Sequence, residues 1–251
     1  MIQISVFNES TAITDAQIKS MISAFSTQWN RDLAPQWGLE EAKFAFTDKN
    51  KHQPKGSWWV VFLDDSDEAD ALAYHDVTDE GLPISKVFVK TLLQDKASVS
   101  VGATHEICEM AVDPTINLAA QDQKGVFWAY EVCDPVEADE YGYDIEDVLV
   151  TDFVTPAWFG YENSSGPMDF KKHAKTAFEV LSGGYAQRFD SKRGWVQVNG
   201  ESANLAQQHV AKAATGSRRE RRTRTDRVEQ WKASATAEER NQRRAQLRGN
   251  G

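Results

Sequence analysis

The sequence predicts an α+β fold: a mixed β-sheet with one chemically distinctive helix laid against it, and a basic, helix-favouring extension behind. Three observations predict it. Short β-type runs fill the first 91 residues with a single amphipathic helix among them. An apolar helical stretch at 98–112 carries the only dense set of histidine and carboxylates. From about residue 201 the composition turns to Ala, Gln, Arg and Glu, with no apolar stripe wide enough for a core of its own. The boundaries are therefore a domain over 1–200 and an extension over 201–251. A hydrophobic content of 41% with eight tryptophans supports a well-filled core for the first part.

Taken in order, Ile2, Ile4 and Val6 alternate with polar residues and predict a first strand. Thr14 with Gln17 three residues on is a capping box, and Ile18, Met21, Ile22, Phe25 and Trp29 follow at helical spacing until Pro35 and Gly38. Residues 42–47 predict a second strand, and 57–63 a third, buried on both faces. Residues 71–77 predict a fourth, and 84–91 a fifth that would lie along a substrate cleft. The helix at 98–112 stops at Asp113-Pro114. Beyond it, 125–133 predict a strand, 141–161 irregular structure with short strands, 170–182 a helix closed by Gly183-Gly184, and 194–198 a last strand.

The chemistry concentrates on that helix. His105 and Glu109 stand four apart, hence on one face about a turn from each other, with Glu106 next to His105. In the H-E-x-x-H pattern of zinc metallopeptidases, positions one and five hold the metal and the intervening Glu is the general base. Here His105 and Glu109 are the expected metal ligands and Glu106 the expected catalytic base. One imidazole with two carboxylates leaves a zinc centre near neutral, which acidifies water less than a two-histidine site. The missing ligand is expected from Glu131-Val132-Cys133-Asp134-Pro135-Val136-Glu137, with Glu131 favoured, then Asp134, and with Glu137, Asp113 and Asp152 behind them. Tyr141 or Tyr143 is a candidate oxyanion donor. His75 is expected to be a packed or hydrogen-bonded histidine, and His52, His173 and His209 surface residues. Cys108 and Cys133 are too few for a disulfide scaffold and fit a reducing compartment; as soft metal ligands they rank below the carboxylates. The order strand, helix, a run of strands and then this helix is that of the N-terminal half of a zincin.

Several separate segments also resemble a largely uncharacterised family of bacterial and phage proteins with the pattern S/T-H-E-x-x-E-M-x-x-D-P. They are Tyr74-His75-Asp76, Gly81-Leu82-Pro83, Lys86 to Val89, Thr104-His105-Glu106, Glu109-Met110, Asp113-Pro114, Glu131 to Pro135, Asp152 to Pro156 and Leu181 to Tyr185. The resemblance spans about residues 70–197. It implies a zincin-like metal-binding protein, often phage-encoded, with no settled substrate.

Charge divides the chain as composition does. Residues 217–251 hold eleven basic against five acidic side chains, +6, so the remainder carries −16 of the total −10. The tail is a candidate anchor on virion proteins or, with weaker support, on nucleic acid. The resulting expectation is a metal-dependent peptidase acting on a peptide or protein substrate, with zinc or another divalent ion as cofactor. The alternative is a virion-associated structural protein on the same scaffold. No apolar run is long enough to span a membrane and no secretory signal pattern opens the chain, so host cytoplasm or a virion is the expected setting.

Overall fold

The computed structural model describes residues 1–48, 54–66, 71–78, 80–160, 165–192 and 194–200. The basic extension, His52 and His209 lie outside them.

Strand β1 (Ile2–Asn8) leads to helix α1 (Asp15–Thr27). The capping box is present: Gln17 N–H donates to Thr14 Oγ1, and the Gln17 side chain accepts from the Thr14 backbone. Pro35 does not end this helical run. A π-helical turn (Gln28–Leu33) links α1 to α2 (Ala34–Trp37), with Pro35 in the first turn of α2, where its missing N–H costs nothing. The run ends at Gly38, whose φ of +63° suits a residue without a Cβ. Then come β2 (Ala42–Phe46), β3 (Trp58–Leu63), β4 (Ala73–Val77) and β5 (Pro83–Phe88), which passes directly into α3 (Val89–Gln94) and α4 (Val99–Val112).

These five strands form one mixed sheet in the order β2-β1-β3-β5-β4, parallel throughout except for β4, which runs antiparallel to β5. Two expectations change here. The edge strand is β4, so the fifth strand lies inside the sheet and not along the cleft. Strand β3 buries Val60 and Phe62 on one face but leaves Trp59 and Val61 half-buried on the other. Val6, Val60, Phe62 and Val87 of the sheet join Ile18 and Phe25 of α1, Trp29 of the π-helical turn, and Ile107, Met110 and Ala111 of α4 in one core.

The second half is mostly loop, pinned by short elements: β6 (Ala119–Gln121), β7 (Phe127–Ala129), the hairpin β8 (Tyr143–Ile145) and β9 (Val148–Val150), then β10 (Tyr185–Asp190) and β11 (Gly194–Asn199). A four-stranded sheet has the order β11-β10-β7-β6. Only the middle of the strand expected at 125–133 forms; residues 130–133 turn away into a 3-10 turn at Asp134–Val136. The helix expected at 170–182 is absent. Side chains there satisfy the amides that a helix would use: Asp169 accepts from His173 and Ala174 N–H, and Glu179 from Lys175 and Thr176 N–H. Lys172 and Phe178 adopt positive φ, and Phe178 is anchored against Trp128 and Trp158.

Candidate metal centre

Helix α4 begins at Ser98, whose Oγ accepts from Val101 N–H, and is buried on nearly all sides. Gly102 permits this: a Cβ there would stand 3.0 Å from Leu92 Cδ1 of α3. Along so apolar a helix, Glu106 and Glu109 are buried charges and need partners. They find them in two places, β4 and the 131–137 segment. The latter is held close by Gly184, where a Cβ would be 2.8 Å from Asp134 O and 2.6 Å from Pro135 O. Gly183-Gly184 thus allows a close backbone crossing instead of closing a helix.

These elements enclose a cavity of about 380 Å³ lined by residues including Ala71, Tyr74, Lys96, His105, Glu106, Glu109, Glu131, Asp134, Glu137 and Tyr185. His105 Nε2 lies 3.3 Å from Glu109 Oε1 and 3.2 Å from Asp134 Oδ1. These distances exceed the ~2.7–2.9 Å of a charge-assisted hydrogen bond. They match the spacing of about 3.3 Å between two ligands that each bind a tetrahedral zinc at ~2.0–2.1 Å. Glu109 Oε1 also accepts the Cys133 backbone N–H at 3.2 Å, which ties the helix to the 131–137 segment.

No protein-family model, curated protein or solved structure matches the chain. What the site can do follows from its own geometry.

Two groups of side chains could hold a metal ion: His105, Glu109 and Asp134, and His75, Glu109 and Glu131. All four residues expected as ligands therefore come together, but Asp134, not Glu131, shares a group with His105. His75 is packed and hydrogen-bonded as expected, fully buried on β4 with Nδ1 3.0 Å from Glu106 Oε2. Its membership of a metal-capable group was not expected. Strand alternation showed that it could face the core, but not which residues of α4 it would meet.

The remaining candidates are placed elsewhere. Asp113 accepts from Asn117 and Leu118 N–H and closes the loop after α4. Asp152 sits with Asp169 and accepts from Phe153 and Lys171 N–H. Neither lines the cavity. Nor do Tyr141 and Tyr143: Tyr143 OH donates to Asp32, and Tyr141 packs on the exposed His173. Two buried tyrosines line the cavity, Tyr74 and Tyr185; among the sequence segments, the one ending Gly183-Gly184-Tyr185 pointed to the second. Both cysteines are buried, and neither joins a metal-capable group among the described residues.

The electrostatics are those of crowded carboxylates. Burial, then the nearby Asp134 and Glu131, push the Glu109 carboxyl well above its usual range. Burial alone would lower His105, but Glu109 and Asp134 hold it well above its ordinary value. Burial pushes Glu137 up to about 8. The donor set fits a divalent cation, whose charge would replace the protons these groups otherwise retain. Glu137 Oε1 is also shielded from solvent with no hydrogen-bond partner among the described residues.

Proposed function

We propose that the protein is a zincin-like metal-dependent hydrolase of the peptidase type. In this reading His105, Glu109 and Asp134 hold the ion, zinc in the first instance, and Glu106 is the general base. The observation that carries it is the ligand-like 3.2–3.3 Å spacing of the two carboxylates around His105 Nε2 inside a cavity. The layer order supports it: a mixed sheet with an antiparallel edge strand, and a buried helix carrying the H-E-x-x-E residues against β4 and β5. So does the resemblance carried by the sequence motifs.

Residues 71–74 line the cavity, and β4 ends the sheet with no further strand beyond it among the described residues. An extended peptide can add to that edge by backbone hydrogen bonds and bring a peptide bond over the site. A divalent ion, when bound, acidifies water and polarises a carbonyl. Glu106 opens on the same cavity, takes the proton from the attacking water and returns it to the leaving amine. In the ion-free protein His75 Nδ1 holds the Glu106 carboxylate in place, and Tyr185 lines the cavity with Asp134.

The test is cleavage of labelled casein and a peptide library by the zinc-loaded full-length protein and its Glu106→Gln variant. The variant should lose roughly 10²–10⁴-fold in rate and keep its metal. Equal cleavage by the variant would remove Glu106 from the chemistry. A metal-loaded wild type that cleaves nothing would leave the site a structural one.

A further inference from the structure

The proposed function uses one oxygen of Glu109. The other faces a second group of donors: Glu109 Oε2 lies 3.6 Å from His75 Nδ1, while Glu109 Oε1 faces His105. The carboxylate is thus divided between two histidines on different elements, one from β4 and one from its own helix. His75 Nδ1 is also not aimed at a single acceptor. It stands 3.0 Å from Glu106 Oε2 and 3.6 Å from Glu109 Oε2, with Glu131 completing the group. An imidazole nitrogen among three carboxylates occupies the place of a ligand to something between them.

We propose that Glu109 bridges two divalent cations, one held by His105 and Asp134 and the other by His75 and Glu131. This rests on the metal-dependent reading above and extends it to a two-ion centre. The charge inventory favours it. Glu106, Glu109, Glu131, Asp134 and Glu137 line one cavity together with Asp95 and Asp139, and among the described residues Lys96 is its only lysine or arginine. One dication leaves most of this crowded carboxylate charge uncompensated, and a second offsets two further units of it, leaving less to bury. Glu137 Oε1, buried and without a hydrogen-bond partner among the described residues, offers a further oxygen to the same cavity. The donors are mostly carboxylate oxygens, which suit zinc or manganese. Paired ions of this kind clamp both the attacking and the leaving atom of a displacement.

The experiment is elemental analysis of the full-length protein, stripped, reloaded with zinc and desalted, beside Glu131→Gln, His75→Gln and Asp134→Asn, each checked for folding by circular dichroism. Two zinc ions per chain are expected in the wild type and one in each variant. Manganese loading provides a check that needs no variant: a carboxylate-bridged pair gives an exchange-coupled paramagnetic resonance spectrum. One ion per chain, lost in Asp134→Asn and kept in Glu131→Gln, would overturn the second site and leave the first standing. Two ions that survive both Glu131→Gln and His75→Gln would place the second ion elsewhere and also overturn it. No bound ion would overturn both readings.

Discussion

Asp113, Asp152 and Asp169 are buried as deeply as Glu109 and Asp134, yet the two sets are held in opposite ways. The first three direct their oxygens at backbone amides: Asp113 at Asn117 and Leu118, Asp169 at His173 and Ala174, Asp152 at Phe153 and Lys171. They fix loops: Asp113 and Asp169 have both oxygens taken up by backbone amides, while Asp152 has Oδ1 so taken and its Oδ2 is buried with no hydrogen-bond partner among the described residues. Around the cavity Glu109 Oε1 takes one backbone N–H, from Cys133, and the Glu106, Glu109 and Asp134 carboxylates face the imidazoles of His75 and His105. Burial alone therefore does not mark a functional carboxylate here. What separates the sets is whether the main chain has already satisfied the oxygens, or whether they converge on a shared space with histidines.

That contrast can be broken by substitution. The largest effect on stability is expected from Asp169→Ala, which strands the His173 and Ala174 amides and frees the 170–182 loop. At about 1–3 kcal/mol for each unsatisfied buried group, the loss should be roughly 2–5 kcal/mol in urea unfolding. A loss below half a kcal/mol would mean that Asp169 is no clamp.

A smaller effect, with a defined pH dependence, is expected at Asp152. Its carboxyl is pushed up to about 9 by burial and then by the neighbouring Asp169, so it keeps a proton at neutral pH. The folded value lies above the ordinary 3.8, so this stabilisation is complete below about pH 4 and is lost as pH rises through about 9. Asp152→Asn should therefore flatten the fall in Tm between pH 7 and 9.5, by about 2–4 °C for each kcal/mol involved. Parallel wild-type and variant curves would contradict the retained proton.

The smallest effect has the opposite sign. In metal-free protein Glu109→Gln replaces one of several crowded carboxyl groups by an amide of the same shape, so stability should hold within about 1 kcal/mol or rise. A large loss in urea unfolding would place Glu109 with the structural set.

The sequence disclosed these two sets unequally, for physical reasons. His105, Glu106 and Glu109 were legible because helical periodicity is local: four residues bring two side chains onto one face whatever the rest of the fold does. The choice of Asp134 over Glu131 beside His105 was not. It depends on where the chain leaves β7 and turns at Asp134–Val136, and on the close crossing at Gly184. His75 acquired its partners from sheet order, since only an antiparallel β4 at the edge puts it against α4. The helix expected at 170–182 failed because Asp169 and Glu179 offer nearby side-chain acceptors that compete with the helix's own carbonyls, which apolar spacing does not register.

The most direct test of the account is the thermal stability of the full-length protein with and without excess zinc. It should be run beside His105→Ala from the cavity set and Asp152→Asn from the structural set. A ligand at a hundred times its Kd adds about 2.7 kcal/mol to the folded state, which corresponds to several degrees in Tm. The account predicts that zinc raises Tm in the wild type and in Asp152→Asn, and that the rise disappears in His105→Ala. A zinc-induced rise that persists in His105→Ala, or no rise in the wild type, would contradict it.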